Sequence, residues 1–537
     1  MLDFNDTIVA PATATGGALA LIRVSGPDAL RVLDGVFVGC GAASADDGCD
    51  VGALCGKGGS GVAAVDGSGA GPLCNKGGSG VAAADGSGAG PLCDKGSVGA
   101  KRRSVCDFAG YTLHFGRIMD GAEVLDEVMV SVFRAPHSYT GEDGAEISCH
   151  GSPYIVSRLL ELLIARGARL ALPGEFTQRA FLAGKMDLAQ AEAVADVISS
   201  DSAAAHRVAV NHLLGGYSSK LKELRGSLVE LSALLELELD FSEEDVEFAD
   251  RSRLSALCSE AMAECSRLAD SFSLGNAVKD GVPVAIVGAP NSGKSTLLNA
   301  LLCDQRAIVS DIPGTTRDTV EECVVIDGVK FRFIDTAGLR DTSDVIEKMG
   351  IERSLAALRK AAIVIEVVDV SGEDAVAAES ALGTRYGLPV NCWSGQIAEA
   401  LSASRKHIVA FNKCDLARIP NRADDAVAVA DSAQPPSVKI SAKMGTGLDE
   451  LKRLLCEVSG VAGVTETVLV TNARHAAELR SAASALNCVL SGLAAGLDGA
   501  LLAEDLRDAL SHLGSITGEI TSDEVLGEIF GKFCIGK

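Results

Sequence analysis

A chain of 537 residues is too long for one hydrophobic core, and such lengths divide into roughly three or four domains. Its 47% apolar and 22% charged residues suit globular folding over most of the length. A formal net charge of −24 excludes a protein that grips nucleic acid over a broad basic face, because phosphate binding draws on clustered Lys and Arg; a local basic site remains open.

The chain begins MLDFNDTIVA, with no basic segment leading into an apolar core, and no apolar run of the roughly eighteen residues that a membrane span needs occurs later. The cytoplasm is the expected compartment. Sixteen cysteines are scattered without any CxxC pair, which in a chain of this size predicts reduced thiols rather than a disulfide scaffold. From about Cys40 to Ser104 the composition turns to Gly, Ala and Ser, and GKGGSGVAAVDGSGAGPLC is followed by NKGGSGVAAADGSGAGPLC. These copies cannot bury enough apolar surface to offset backbone ordering, and a disordered insertion is expected. Cys55, Cys74 and Cys93 recur at a spacing of nineteen residues, but no His or second Cys accompanies them at metal-ligand spacing, so no zinc site is expected there.

Without the insertion, residues 1–182 alternate short β-rich runs (IVAPATATGGALALIRVSG, EVMVSVFRAP) with a helical stretch, YIVSRLLELLIARG, and predict a compact α+β domain. Helical periodicity follows over about Lys185–Leu274 and returns over about Val468–Phe533. Between these blocks lie VPVAIVG, FRFIDTAG, AAIVIEVVDV, HIVAFNKCD and VKISAK, apolar strands that each end in a polar loop. Strands alternating with helices predict a doubly wound, mostly parallel sheet, with ligands at the carboxyl ends of its strands. The expected organisation is a multidomain α/β and α+β chain: an N-terminal domain (1–182), a discontinuous helical domain (183–278 and 461–537) and an inserted P-loop domain (279–460).

Gly288 to Ser295 reads G-A-P-N-S-G-K-S between a strand and a helical run, which is a P-loop in its required context. Its backbone N–H groups, with Asn291, Ser292, Gly293, Lys294, Ser295 and Thr296, face phosphate oxygens; Lys294 reaches the terminal phosphates and the Ser295 hydroxyl suits Mg²⁺. Asp335, Thr336, Ala337 and Gly338 form D-T-A-G, whose carboxylate suits the Mg²⁺ water shell and whose glycine N–H suits a γ-phosphate. Asn412, Lys413, Cys414 and Asp415 form N-K-C-D. Asp415 can accept from guanine N1–H and the exocyclic amine, a donor pair that adenine lacks. Ser441, Ala442 and Lys443 complete the loop behind the base. Motifs in this order at strand ends predict a GTP-binding domain.

Leu339 stands after D-T-A-G, where Ras-like switches carry the Gln that orients water; another group must place the water and offset charge on the transferring phosphoryl. With Asn291 in the P-loop, S-D-I-P-G-T-T-R-D at Ser310–Asp318, and the longer stretches DTIVAPAT, LIRVSGP, SYTGEDGAEISCHGS, PGEFTQRAFLAGKMDLAQAEAVADVI and SITGEITSDEVLGEIFGKFCIGK, the chain resembles the MnmE (TrmE) family of tRNA modification GTPases over nearly everything except the insertion. The resemblance implies K⁺ beside the phosphates, with Asn291, Ser310, Ile312 and Thr315 around it and Asp311, Pro313 and Gly314 in the same loop; Thr316 joins Ser295 on Mg²⁺. It implies Glu347 as the group that orients water, against the plainer reading of a solvated helix charge.

It further implies an N-terminal domain that binds 5-formyl- or 5,10-methylene-tetrahydrofolate through Arg23, Glu146, Lys185 and Lys537 and builds a homodimer. S-C-H-G-S around His150 departs from the family's usual glycine-rich loop. The C-I-G-K end carries Cys534, which is either a chemical participant or a small apolar residue buried with the preceding I-F-G-K-F. The implied activity is K⁺-dependent GTP hydrolysis that, with an FAD-containing partner of the MnmG family in a heterotetramer, installs an aminomethyl or carboxymethylaminomethyl group at carbon 5 of the wobble uridine of tRNA. A ribosome-associated regulatory GTPase, or a folate-binding scaffold with an inactive G domain, are the rival readings.

Overall fold

The computed structural model describes residues 5–39, 104–240, 251–289, 291–303, 321–334, 358–371, 406–416, 435–461 and 468–536. The Gly-rich repeats with Cys55, Cys74 and Cys93, the loop Ser310–Thr316, the D-T-A-G residues Asp335–Gly338, Glu347 and Lys537 lie outside them. The described chain forms two compact units, Met1–Leu172 with Gly536, and Pro173–Ile535 with Lys537.

The first unit runs β1 (Ile8–Pro11), β2 (Leu19–Ser25), α1 (Ala29–Asp34), β3 (Phe37–Gly39), β4 (Thr112–Asp120), β5 (Glu123–Phe133), β6 (Gly144–His150), α2 (Pro153–Ala165) and β7 (Arg169–Leu170). Its strands form one sheet in the order β3-β4-β5-β6-β2-β1-β7, antiparallel except for the β1–β7 pair. Alternation sorts the side chains. Ala20, Ile22 and Val24 of β2, Val128, Val130 and Val132 of β5, and Ala145, Ile147 and Cys149 of β6 are buried in one core with residues of α1 and α2. The intervening residues face the other way. Among them are Leu113, Phe115 and Met129, which are exposed at 60%, 48% and 36%, and Phe115 lies opposite Met129 in the ladder. This is the expected α+β architecture, with helices on one face of a mostly antiparallel sheet.

The second unit continues with α3 (Glu175–Leu182), α4 (Leu188–Ser199), α5 (Ala203–Leu213), α6 (Gly216–Asp240), α7 (Arg251–Asp270) and α8 (Phe272–Asp280). The inserted part follows as β8 (Val282–Gly288), α9 (Lys294–Cys303), β9 (Glu322–Ile326), β10 (Val329–Phe333), β11 (Ile363–Asp369), β12 (His407–Asn412), β13 (Ser437–Lys439) and α10 (Leu448–Ser459). The chain closes with α11 (Ala473–Ala494), α12 (Gly499–Thr517) and α13 (Asp523–Phe530).

Heptad spacing explains the helical part. Tyr217, Leu221, Leu228, Leu231 and Leu235 of α6, Leu254, Cys258, Ala261, Cys265 and Leu268 of α7, Leu479, Ala482, Leu486 and Val489 of α11, and Leu502, Leu506, Ala509, Leu513 and Ile516 of α12 recur three, four or seven residues apart, and all are buried in one core. Each stripe needs a partner face, and α6 packs on α7, α7 on α11, α11 on α12 and α12 back on α6. Two of the four helices precede the insertion and two follow it. The local signals agree: Asp187 and Gln190 make a capping box at α4, and Ser202 caps α5 by accepting from Ala205 N.

The inserted sheet has the order β13-β12-β11-β8-β10-β9, parallel except where β9 meets β10. The chain after β8 returns to one side of it as β10 and then crosses to the other as β11, so the switch in strand order falls beside β8, where a ligand crevice opens. Among the described residues no helix is long and apolar enough to cross a membrane, and the described cysteines are all unbridged.

Candidate functional site

The carboxyl end of β8 turns through Gly288 into the amino end of α9, so the free N–H groups of that helix face the loop. At Gly288 the chain passes close to β11: a Cβ there would lie 2.5 Å from Val367 O. Asn291 has φ +62°, a left-handed conformation that Asn tolerates, and it is exposed. Ser292 is fully buried, and its hydroxyl has no hydrogen-bond partner among the described residues. Lys294 folds over the loop and its ammonium donates to Gly288 O and Ala289 O, at 2.8 and 2.9 Å. Burial lowers its pKa; a desolvated cation held by carbonyls is one that gains from a phosphate anion.

Asn412, the last residue of β12, fastens the guanine loops to the P-loop. Its amide donates to Ser292 O at 2.8 Å and its carbonyl oxygen accepts from Ala442 N at 3.0 Å. Gly293, at φ +97°, lies so close beneath this amide that a Cβ would come within 2.2 Å of Asn412 Nδ2. Asp415 is exposed on the same side, and its Oδ1 accepts from the Ser441 hydroxyl at 2.6 Å while that hydroxyl accepts from Met444 N at 3.2 Å. Fixing one carboxylate oxygen this way sets the other at a defined orientation. The P-loop, N-K-C-D and S-A-K segments therefore stand at the carboxyl ends of strands of one sheet.

Asp369 and Ser371 were not foreseen. Asp369 ends β11 directly opposite Asn412, and its Oδ2 takes the Lys413 ammonium at 2.5 Å while Oδ1 accepts from Ser371 N and Oγ at 2.9 and 2.7 Å. Burial raises the carboxyl's pKa, but Lys413 and Ser371 outweigh it and hold the group below its usual range. Lys413 itself has φ +67°, so a left-handed backbone and an ion pair together aim its side chain. The available signal was a lone Asp at the carboxyl end of an apolar strand, V-V-D-V-S, the position at which parallel sheets place ligand-facing groups.

In the first unit Arg23 and Glu146 are cross-strand partners on the face away from the core. Arg23 Nε and Nη2 both donate to Glu146 Oε1, at 2.9 and 2.7 Å. The guanidinium lies 5.3 Å from the centroid of the Tyr139 ring, and its Nη1 donates to the carbonyl of Gly536 at 3.3 Å. A small open pocket of about 60 Å³ lies beside the pair, lined also by Ser25, Phe133, Ser138 and Thr140. The Ser25 hydroxyl bonds Thr140 Oγ1 and Glu142 Oε2, at 2.6 and 2.8 Å. Of the four expected folate residues, Arg23 and Glu146 are brought together here; Lys185 belongs to the second unit, where it is exposed, and Lys537 lies outside the described residues. His150 is oriented by the buried Asp126, 2.7 Å from its Nδ1.

The reading of Cys534 as a buried residue does not hold: it is exposed. Phe530, which is 2% exposed, and the half-buried Phe533 make the apolar contacts instead, with Phe181 and Leu188. The tail lies on the P-G-E-F turn. Gly174, at φ +68°, leaves no room for a Cβ against Phe530 O, and its N–H donates to Cys534 O at 3.3 Å.

The sequence matches two family descriptions, "GTP-binding protein TrmE N-terminus" over residues 70–185 and "MnmE helical domain" over residues 188–534. Among curated relatives described as "tRNA modification GTPase MnmE", that of Bacteroides fragilis is 44% identical over 99% of this chain and 100% of its own length. The one from Christiangramia forsetii is 43% identical over the whole of both chains. A Cytophaga hutchinsonii relative is 47% identical over 80% of this chain and 88% of its own.

Proposed function

The chain belongs to the MnmE family of tRNA modification GTPases, a GTP hydrolase acting in tRNA modification, and on that premise we propose how its own residues divide the work. The Asn412 tie between the P-loop and Ala442 is the observation that carries the reading, because it makes the phosphate and base subsites one rigid body. Lys294 and the N–H groups at the start of α9 hold the β- and γ-phosphates. Asp415, steadied by Ser441, accepts from guanine. Ser295 and Thr316 suit Mg²⁺, with Asp335 toward its water shell and Gly338 toward the γ-phosphate.

Leu339 cannot orient water, and Glu347 takes that role. Asn291 is exposed, and with the carbonyls of Ser310 and Ile312, and Thr315 completing the loop, it suits a monovalent cation. K⁺ held there supplies positive charge to the transferring phosphoryl group, as an arginine would.

The chemistry of the Arg23–Glu146 pair suits the head of a reduced folate. A carboxylate matches an aminopyrimidine edge, and a guanidinium on an aromatic ring supports planar stacking. When bound, 5-formyl- or 5,10-methylene-tetrahydrofolate supplies a one-carbon unit. The family resemblance also assigns Lys185 and Lys537 to folate, and Cys534 is exposed for chemistry. The open apolar sheet face at Leu113, Phe115 and Met129 suits a second copy of the chain. The product assigned is a C5-aminomethyl-type wobble uridine, made in the cytoplasm with an FAD-containing partner of the MnmG family, by domains at 1–182, 183–278 with 461–537, and 279–460.

The test is GTP turnover in K⁺ against Na⁺ with the wild type and Asn291→Ala. K⁺ stimulates the wild type and not the variant; equal wild-type rates in both salts remove the cation mechanism.

A further inference from the structure

β9 and β10 form a hairpin with a two-residue tip, Asp327 and Gly328, at φ +48° and +78°. Both are left-handed, as the tightest hairpin turn requires, and Asp-Gly is a favoured pair for it. The ladder from Val329↔Ile326 to Phe333↔Glu322 is unbroken. Its open end is joined by sequence to both nucleotide-facing segments: S-D-I-P-G-T-T-R-D precedes β9 and D-T-A-G follows β10. Its closed end meets the helical part of the chain.

At the tip, Gly328 O accepts from Ala204 N at 3.2 Å, so one of the free N–H groups at the start of α5 is satisfied by the hairpin instead of by a cap. Lys330 Nζ donates to Asp201 Oδ2 at 2.6 Å. Ala204 and Ala205 are buried in the same core as Val324, Ile326 and Val329, and a Cβ on Gly328 would touch Ala203. The other end of α5 is also tied. His212 Nε2 donates to Leu469 O at 2.8 Å, at the place where the chain returns from the inserted sheet to the bundle, and His212 lies against Tyr217 of α6.

We infer that the β9–β10 hairpin, through Gly328 and the Lys330–Asp201 pair, is the lever by which the GTP site acts on the helical part of the molecule, with α5 as the strut it pushes. A two-stranded ladder moves as a unit, and a shift of this one along β8 must either carry α5 or break the tip contacts. Lys330 and Asp201 are thus positioning residues for tRNA modification and stand outside the chemistry of hydrolysis. The inference rests on the family activity, in which a GTPase cycle serves tRNA modification, and needs neither the K⁺ nor the folate assignment.

The experiment uses the full chain as wild type, Lys330→Ala, Asp201→Ala and the charge-exchanged pair Lys330→Asp with Asp201→Lys. Three quantities are measured: GTP turnover, hydrogen exchange of a peptide covering residues 201–213 with GDP against GDP–aluminium fluoride, and the modified nucleoside restored to tRNA of a strain lacking the gene. Turnover stays within about two-fold throughout, while tRNA modification falls about five-fold or more in each single variant and recovers in the exchanged pair. The wild-type exchange difference in α5 disappears in the single variants. Turnover and modification falling together, or single variants that match the wild type in exchange and modification, overturn the lever. A wild type with no nucleotide-dependent exchange in α5 also overturns it, whereas equal turnover in K⁺ and Na⁺ touches only the cation mechanism.

Discussion

Gly293→Ala is the sharpest test of the nucleotide site, because its cost can be worked from two contacts. At φ +97° an added methyl carbon comes within 2.2 Å of Asn412 Nδ2. The amide has little room to yield, being bonded to Ser292 O at 2.8 Å and to Ala442 N at 3.0 Å. A left-handed alanine costs about 1 to 2 kcal/mol, and losing these two hydrogen bonds costs about 1 to 3 kcal/mol more. The free loop relieves both terms by swinging away from Asn412, so they reappear as lost affinity when the nucleotide recaptures the loop. The expected loss is about 2 to 5 kcal/mol, or roughly thirty-fold to several-thousand-fold in Kd. Equilibrium titration of a fluorescent GDP analogue against the full chain measures it, with far-ultraviolet dichroism unchanged. An affinity within about three-fold of the wild type, less than 1 kcal/mol, refutes the idea that Asn412 and the P-loop are one rigid body.

Asp369→Ala frees Lys413 from its 2.5 Å partner; because both side chains are about a third exposed, the pair is worth about 1 kcal/mol, and KM for GTP rises about five-fold with kcat unchanged. A matching fall in kcat would assign Asp369 to hydrolysis instead. His212 gives a pH signature: burial lowers its pKa from 6.5 to about 4, so between those values the unfolded chain binds more protons than the folded one. Stability from this group is complete above pH 6.5 and declines as pH falls toward 4, by about 3 kcal/mol in all. Denaturant titrations across that window are expected to lose one proton's worth of slope in His212→Gln, whose amide can still donate to Leu469 O; an unchanged slope counts against neutral burial of His212. Below this window Glu192 takes over. Burial raises its carboxyl's pKa, but His475 and Arg474 bring it down to about 2.

Much of this was legible in the sequence, for identifiable reasons. The P-loop and N-K-C-D need fixed spacings beside a strand end, so pattern and context fix their place on the sheet. The helical blocks declared themselves through the stripe that buries Leu221, Leu228 and Leu235. Contacts between distant segments were not legible. Nothing local in V-V-D-V-S says that Asp369 meets Lys413, 44 positions away, or that Lys330 meets Asp201, 129 positions away. Of the two readings that I-F-G-K-F left open for Cys534, burial fails, because Phe530 and Phe533 make the apolar contacts with Phe181 and Leu188 and the cysteine stays exposed.

The order of the elements explains why the GTPase part and the helical part cannot act independently. The apolar stripes of α6 and α7 are covered only when α11 and α12, made after the insertion, close the bundle. The sheet, with a core of its own, is therefore bracketed in the chain by helices that share another. Where the chain enters, Gly281 leaves no space beneath the side chain of Lys330, a Cβ there falling 3.0 Å from Lys330 Cγ; where it returns, Leu469 is held by His212. Both connections thus touch residues of the hairpin or of α5. An insertion on long free linkers would let the sheet respond to GTP without consequence for the bundle. Here a movement of β10 is felt at Gly281 and at α5 together, and a bundle whose helices interlock at heptad spacing passes such a movement on instead of absorbing it.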